Sequence, residues 1–354
     1  MTIRRESQVA ALLARVPVAA LGVVIAASAL QASCNGQMDD DTLTDAGQPD
    51  GAGVDADASS TADSPSEDSR ADRADGMSYG DGYGKEDAHE DAPISQDGAG
   101  ATCSIQTAFG PLEPIADLNT AGDNAGVWLM PNQLDGYTQS TRAGGSWQIL
   151  STNRASLGAP FSAPVALPAL NAATSFDGSP SPRGDGLYIL FQSNRGGNDQ
   201  IWSASSASTS ADFDAPTAVT SLASSFDDVS PWLRPDGQVM YFSSNRLGSY
   251  GIWRATWNDT DFGAPSLVSE ISAAGFSQFP ILTPDELVVY WLGGSGMMVA
   301  SRATTADPFS NIAPVPELAG INSSPDYISP DLCTIYGAAR PAGTTYIVRA
   351  TRSP

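Results

Sequence analysis

Three features of the sequence predict an all-β chain of five four-stranded blades closed into a ring. The first is a series of phenylalanines, Phe109, Phe161, Phe213, Phe262 and Phe309, spaced by 52, 52, 49 and 47 residues. Nine residues after each stands Leu118, Leu170, Leu222, Ile271 or Leu318. The second is a series of turn aspartates in step with the first: Asp135, Asp185, Asp236, Asp285 and Asp331. The third is the composition of the segments after those turns. Leu187 to Phe191, Val239 to Phe242, Leu287 to Trp291 and Thr334 to Tyr336 are rich in β-formers, and a further short run such as Ile201-Trp202, Ile252-Trp253 or Ile347-Val348 comes after. A fixed period marks a repeat architecture, and four short strands in about 50 residues make one propeller blade.

The chain has 354 residues and a net charge of −23, divided unevenly over three segments. Residues 1–33 hold Arg4, Arg5 and Arg15, then an apolar run from Val16 to Leu30, then small residues. A basic start and a run too short for a membrane span read as a signal peptide. Leu30-Gln31-Ala32-Ser33-Cys34 resembles the bacterial lipobox, with Gln31 where that family usually carries Leu. The resemblance implies lipidation of Cys34, and two or more acyl chains suffice for stable anchoring. The alternative is cleavage after Ala27-Ser28-Ala29, which leaves a soluble secreted protein.

Residues 34–102 form an acidic tether. From 35 to 102 there are 18 acids against three bases, and few large apolar residues. Such a stretch buries too little surface to offset its ordering entropy, so it is expected to be disordered. Asp55-Ala56-Asp57 and Asp81-Gly82-Tyr83-Gly84 lack the alternating ligands and closing Glu of an EF-hand, so no metal is expected there.

Residues 103–354 carry the repeats, with 21 acids and 11 arginines. Ser230 to Trp253, which contains Arg234-Pro235-Asp236-Gly237 and Ser244-Asn245-Arg246, resembles the repeat of TolB-type propellers. Ser179 to Trp202 resembles it nearly as well, and the blades centred on Asp135, Asp285 and Asp331 are degenerate. The chain enters on a Phe-to-Leu strand, 109–118, of the kind that ends a blade elsewhere, and leaves on a third strand, 345–349. The N-terminal strand is therefore expected to complete the last blade, which removes free sheet edges. Cys103 precedes that strand and Cys333 lies in the blade it closes, so an exported protein would join them. Two buried thiols are the alternative.

The only histidine, His89, and the only lysine, Lys85, both fall in the tether. The repeat domain thus lacks the parts for Ser-His-Asp or Cys-His catalysis, histidine-ligated zinc and Schiff bases. No cofactor is expected, and an acidic domain argues against nucleic acid. What remains is a face. Second-to-third turns carry Arg142, Arg195, Arg246 and Arg340, and fourth-to-first connections carry Asp177, Asp227, Asp228 and Asp326 on the same side. The arrangement reads either as loop bracing by Asn194-Arg195 and Asn245-Arg246 or as a polar binding mouth. Trp202 and Trp253 read as packing between blades.

Two functions fit these residues. The first is a monomeric, non-catalytic scaffold on a bacterial envelope membrane, outer membrane or cell surface, touching the membrane only through its lipid and binding an envelope protein or glycan. The second is a five-bladed glycoside hydrolase that uses channel carboxylates. No Glu of the domain maps to an innermost strand, and this weighs against the second.

Overall fold

The computed structural model describes residues 102–142, 145–273 and 275–354. The signal peptide, the tether and Cys34 lie outside the described residues. Five antiparallel four-stranded sheets stand in sequence order around an axis. Blade 1 is built from Asn124–Leu129, Asp135–Ser140, Gln148–Asn153 and Val165–Ala166. Blade 2 takes Asp177–Pro182, Tyr188–Ser193, Gln200–Ser205 and Thr217–Ala218. Blade 3 takes Asp228–Leu233, Val239–Ser244, Gly251–Thr256 and Ser266–Leu267, and blade 4 takes Ser277–Leu282, Val288–Gly293, Gly296–Ser301 and Ser310–Pro314. Blade 5 combines Ser324–Ile328, Thr334–Ala339 and Tyr346–Thr351 with the N-terminal strand Glu113–Pro114. That strand pairs Glu113 with Arg349 and Pro114 with Val348, so the chain start completes the ring. Cys103 and Cys333 are joined by a disulfide just outside this closure.

The middle strands are buried because they face a neighbouring blade on each side. Tyr241, Phe242, Tyr290, Trp291 and Phe191 are all essentially inaccessible. Leu118, Leu170, Leu222, Ile271 and Leu318 are likewise buried, which accounts for the spacing that marks the repeats. The outermost strands are much shorter than a Phe-to-Leu strand over 109–118. Pro111 and Pro114 carry no N–H for a ladder, so pairing there stops at two residues.

Each innermost strand is broken by a bulge. In blades 1 to 4 the register shifts across a residue in the left-handed region: Gly126, Ser179, Ser230 and Phe279. In blade 5 a single residue, Asp326, separates the paired Pro325 and Tyr327, where the other blades insert two. The bulges, with Trp128 and Trp232, narrow the axis. The space there is about 60 Å³ where the innermost strands end and about 10 Å³ midway. Ten cubic ångströms is roughly one water.

Candidate functional site

The sequence pattern places acids at the start of innermost strands and arginines in the next turn but one. The structure brings them together as clamps. Asp177 opens the innermost strand of blade 2 and is completely buried. Its Oδ1 lies 2.6 Å from Nη2 of Arg195, and its Oδ2 accepts the Ala172 N–H at 2.7 Å. The same Nη2 donates to the Leu170 carbonyl at 2.5 Å, and Nε donates to Ser193 Oγ at 2.9 Å. Blade 3 repeats this arrangement. Arg246 Nη2 meets Asp228 Oδ1 at 2.5 Å and the Leu222 carbonyl at 2.8 Å, while Nε donates to Ser244 Oγ. Ser224 donates to Asp228 Oδ2 from both its N–H and its hydroxyl. Each guanidinium also covers two rings, Phe191 and Trp202 in one case, Phe242 and Trp253 in the other. Both oxygens of each carboxylate therefore have partners within the fold.

The other candidates fall apart from that pattern. Arg142 makes the same clamp in blade 1, donating to Leu118 O and to Asn124 Oδ1, with Asn in place of the acid. Arg340 does not reach Asp326; its Nε donates to Gly343 O. Asp227 accepts from Asn245 Nδ2 and from the Tyr250 hydroxyl. Asp326 sits at the shortened bulge of blade 5, fully buried, with Ser324 Oγ donating to Oδ1 and Oδ2 unpartnered. Desolvation holds its carboxyl well above the usual range.

Asp199 is a candidate that the repeat pattern does not reveal. It precedes the third strand of blade 2, is buried, and has no hydrogen bond on Oδ1. Burial, assisted by the nearby Asp227 charge and opposed by a hydrogen bond from Gln192, pushes its pKa up to about 6.

On the opposite face a second set of braces spans neighbouring blades. Arg154, Arg302 and Arg352 each follow the third strand of their own blade. Each donates Nε to the carbonyl of a first-to-second turn residue, Gln133, Glu286 or Leu332. Each then reaches the hydroxyl of a tyrosine on the middle strand of the preceding blade: Tyr336, Tyr241 and Tyr290. Each lies over a ring of the phenylalanine series, Phe161, Phe309 or Phe109. The sequence signal is an arginine seven residues before Phe161 and Phe309. Glu286 adds a hub between blades 3 and 4. Its buried carboxylate lies 2.5 Å from Arg234 Nη1 and 3.2 Å from Arg302 Nη2, and accepts from the Tyr241 hydroxyl. That environment, burial first, raises the Tyr241 pKa to about 12.

Among the described residues no cluster of His, Cys, Asp and Glu is arranged to hold a metal. No described helix is long and apolar enough to cross a membrane.

No protein-family model matches the chain, and no curated protein matches it. Solved structures do. TolB from Acinetobacter baumannii is similar at 17% identity over 67% of this chain, with a TM-score of 0.47, and the match spans 56% of that protein's length. Zg3597, a family 117 glycoside hydrolase from Zobellia galactanivorans, is similar at 11% identity, with 69% of this chain and 90% of that one covered and a TM-score of 0.49. The α-L-arabinofuranosidase PaAbf62A from Podospora anserina is similar at 10% identity over 72% of this chain and 94% of that one, with a TM-score of 0.42. At such identities the likeness is one of fold. The chain is a five-bladed β-propeller, and its structural neighbours include both TolB and glycoside hydrolases.

Proposed function

We propose that this protein is a non-catalytic binding propeller, carried on a bacterial envelope membrane by a lipidated Cys34 and engaging a protein of that envelope. One observation carries the reading. The two carboxylates that head innermost strands, Asp177 and Asp228, are fully buried and each clamped by an arginine, so neither is open to a ligand. The axis supports it, because about 60 Å³ is far below the several hundred Å³ of a small-molecule site. A rigid ring with satisfied loops needs only its surface to bind. The test is turnover on a panel of aryl glycosides and oligosaccharides. None is expected, and hydrolysis abolished by Asp228→Asn would overturn the proposal. For the anchor, mass spectrometry of the mature protein is expected to find diacylglyceryl-modified Cys34 at the N-terminus; a free amine at Leu30 would refute it.

Glycan hydrolysis is the second reading, and Asp199 favours it. A carboxyl with a pKa of about 6 beside a second carboxylate, Asp227, has the form of a general acid and its partner. On that reading activity appears on the panel and is lost in Asp199→Asn.

A further inference from the structure

The inter-blade braces are not complete around the ring. Ser206 occupies in blade 2 the place of Arg154, Arg302 and Arg352, as the backbone shows. Its N–H bonds to Leu187 O as those of Arg154 and Arg302 bond to Leu134 O and Leu287 O. In blade 3 the same place holds Trp257, bonded to Gln238 O and packed on Phe262. Only between blades 1 and 2 does a short side chain stand there. A cleft of about 460 Å³ opens at that junction.

The cleft retains what an arginine meets in the other blades. Tyr137 lines it and corresponds to Tyr336, Tyr241 and Tyr290, but among the described residues its hydroxyl has no hydrogen bond. Gly186 lines it and corresponds to Gln133, Glu286 and Leu332, whose carbonyls accept from arginine Nε. Thr209 lines it three residues after Ser206, as Leu157, which accepts from Arg154 Nη1, stands three after Arg154. Phe213 of the ring series is present and partly buried. Charge agrees with this geometry. Asp135 lies at the rim with, among the described residues, only Asn132 Nδ2 on its carboxylate, and Asp185, also at the rim, is already paired with Arg183.

We propose that the cleft between blades 1 and 2 receives the guanidinium of an arginine side chain on a partner protein, filling the place that the chain's own arginines fill in three other clefts. This rests on the binding reading proposed for the whole propeller. A planar fork donates to a phenol and to carbonyls at once, and an ammonium does not reproduce that geometry.

The full-length protein is titrated calorimetrically with Nα-acetyl-argininamide, Nα-acetyl-lysinamide and free L-arginine, each to about 10 mM, a range suited to millimolar affinity. Saturable binding of the arginine amide is expected. The lysine amide should bind at least about fivefold more weakly, and so should the arginine amide to Tyr137→Phe or Asp135→Asn, each losing about one hydrogen bond or charge contact. Ser206→Arg, which supplies the missing guanidinium internally, should abolish binding. Absence of saturable binding, equal binding to Ser206→Arg, or equal affinity for the lysine amide overturns the proposal. Tighter binding of free L-arginine overturns the assignment to a protein partner. If Ser206→Arg does not fold, Tyr137→Phe and Asp135→Asn decide the matter in its place, and unchanged affinity in both overturns the proposal. A negative result leaves the glycoside panel to judge the non-catalytic reading separately.

Discussion

Removing Arg246 is the sharpest test of whether the arginine-rich face is structural. Its side chain is 17% exposed and that of Asp228 is 0% exposed, so Arg246→Ala strands a carboxylate in the interior. Taking one partner from a buried pair costs about 3–5 kcal/mol. Ser224 still donates twice to Asp228, which lowers the figure, while the Leu222 carbonyl loses a donor and Trp253 its covering cation, which raise it. About 3–4 kcal/mol is expected. For a domain of this size that lowers Tm by about 10 °C. Arg340→Ala serves as the control, since it forfeits one side-chain bond to Gly343 O and should cost under about 1 kcal/mol. Differential scanning calorimetry of both variants supplies the comparison. Adding Asp228→Leu to Arg246→Met should recover most of the loss, because an apolar pair is a fair replacement for a buried ionic one. Should Arg246→Ala lower Tm no more than Arg340→Ala, the guanidinium is a surface cation available to ligands, and the bracing account fails.

Four further outcomes are expected. Asp199 has a folded-state pKa raised to about 6, so its contribution is most favourable below the unfolded carboxylate pKa and is lost as pH rises through about 6. Asp199→Asn should flatten the decline in unfolding free energy between about pH 4 and pH 7, and urea titrations at several pH values would show it. Asp326→Asn should act in the same direction. Reducing the Cys103–Cys333 bond, which spans 230 residues, should cost up to about 5 kcal/mol on chain-entropy grounds, read as the Tm difference with and without a phosphine reductant; no shift would place the closure elsewhere. Glu286→Gln removes the buried carboxylate that Arg234, Arg254 and Arg302 share and should cost about 3–5 kcal/mol in urea denaturation.

Much of this architecture is legible in the residues. The phenylalanine series and its trailing leucines mark the inter-blade core, and the aspartate series marks the turns of blades 2 to 5; in blade 1 Asn132 takes that place and Asp135 opens the second strand. The incoming strand before Leu118 and the missing fourth strand after Arg349 reveal the closure. The clamps are half legible. Asn124 and Arg142, Asp177 and Arg195, and Asp228 and Arg246 are each 18 residues apart, and each pair is in contact. What the spacing hides is that acid and arginine meet at one point of that face as buried pairs. Asp326 escapes the pattern because Ser324, not an acid, heads its strand, and Asp326 lies two residues further on within the shortened bulge. The narrowness of the axis is equally hidden. It depends on how far Trp128 and Trp232 lean inward at the bulges, and alternation along a strand does not encode that.

The position of the disulfide relative to the closing strand decides how the ring bears a pull. Tension arriving along the chain from the N-terminal side reaches Cys103 before it reaches Glu113–Pro114. It crosses there to Cys333 and enters the middle strand Thr334–Ala339, which is flanked on both sides by Ser324–Ile328 and Tyr346–Thr351. The two-residue strand that seals blade 5 is thus outside the load path. A seam with so short a ladder is shielded by a covalent shunt, so the ring resists tugging at its N-terminus until the sulfur bridge is reduced.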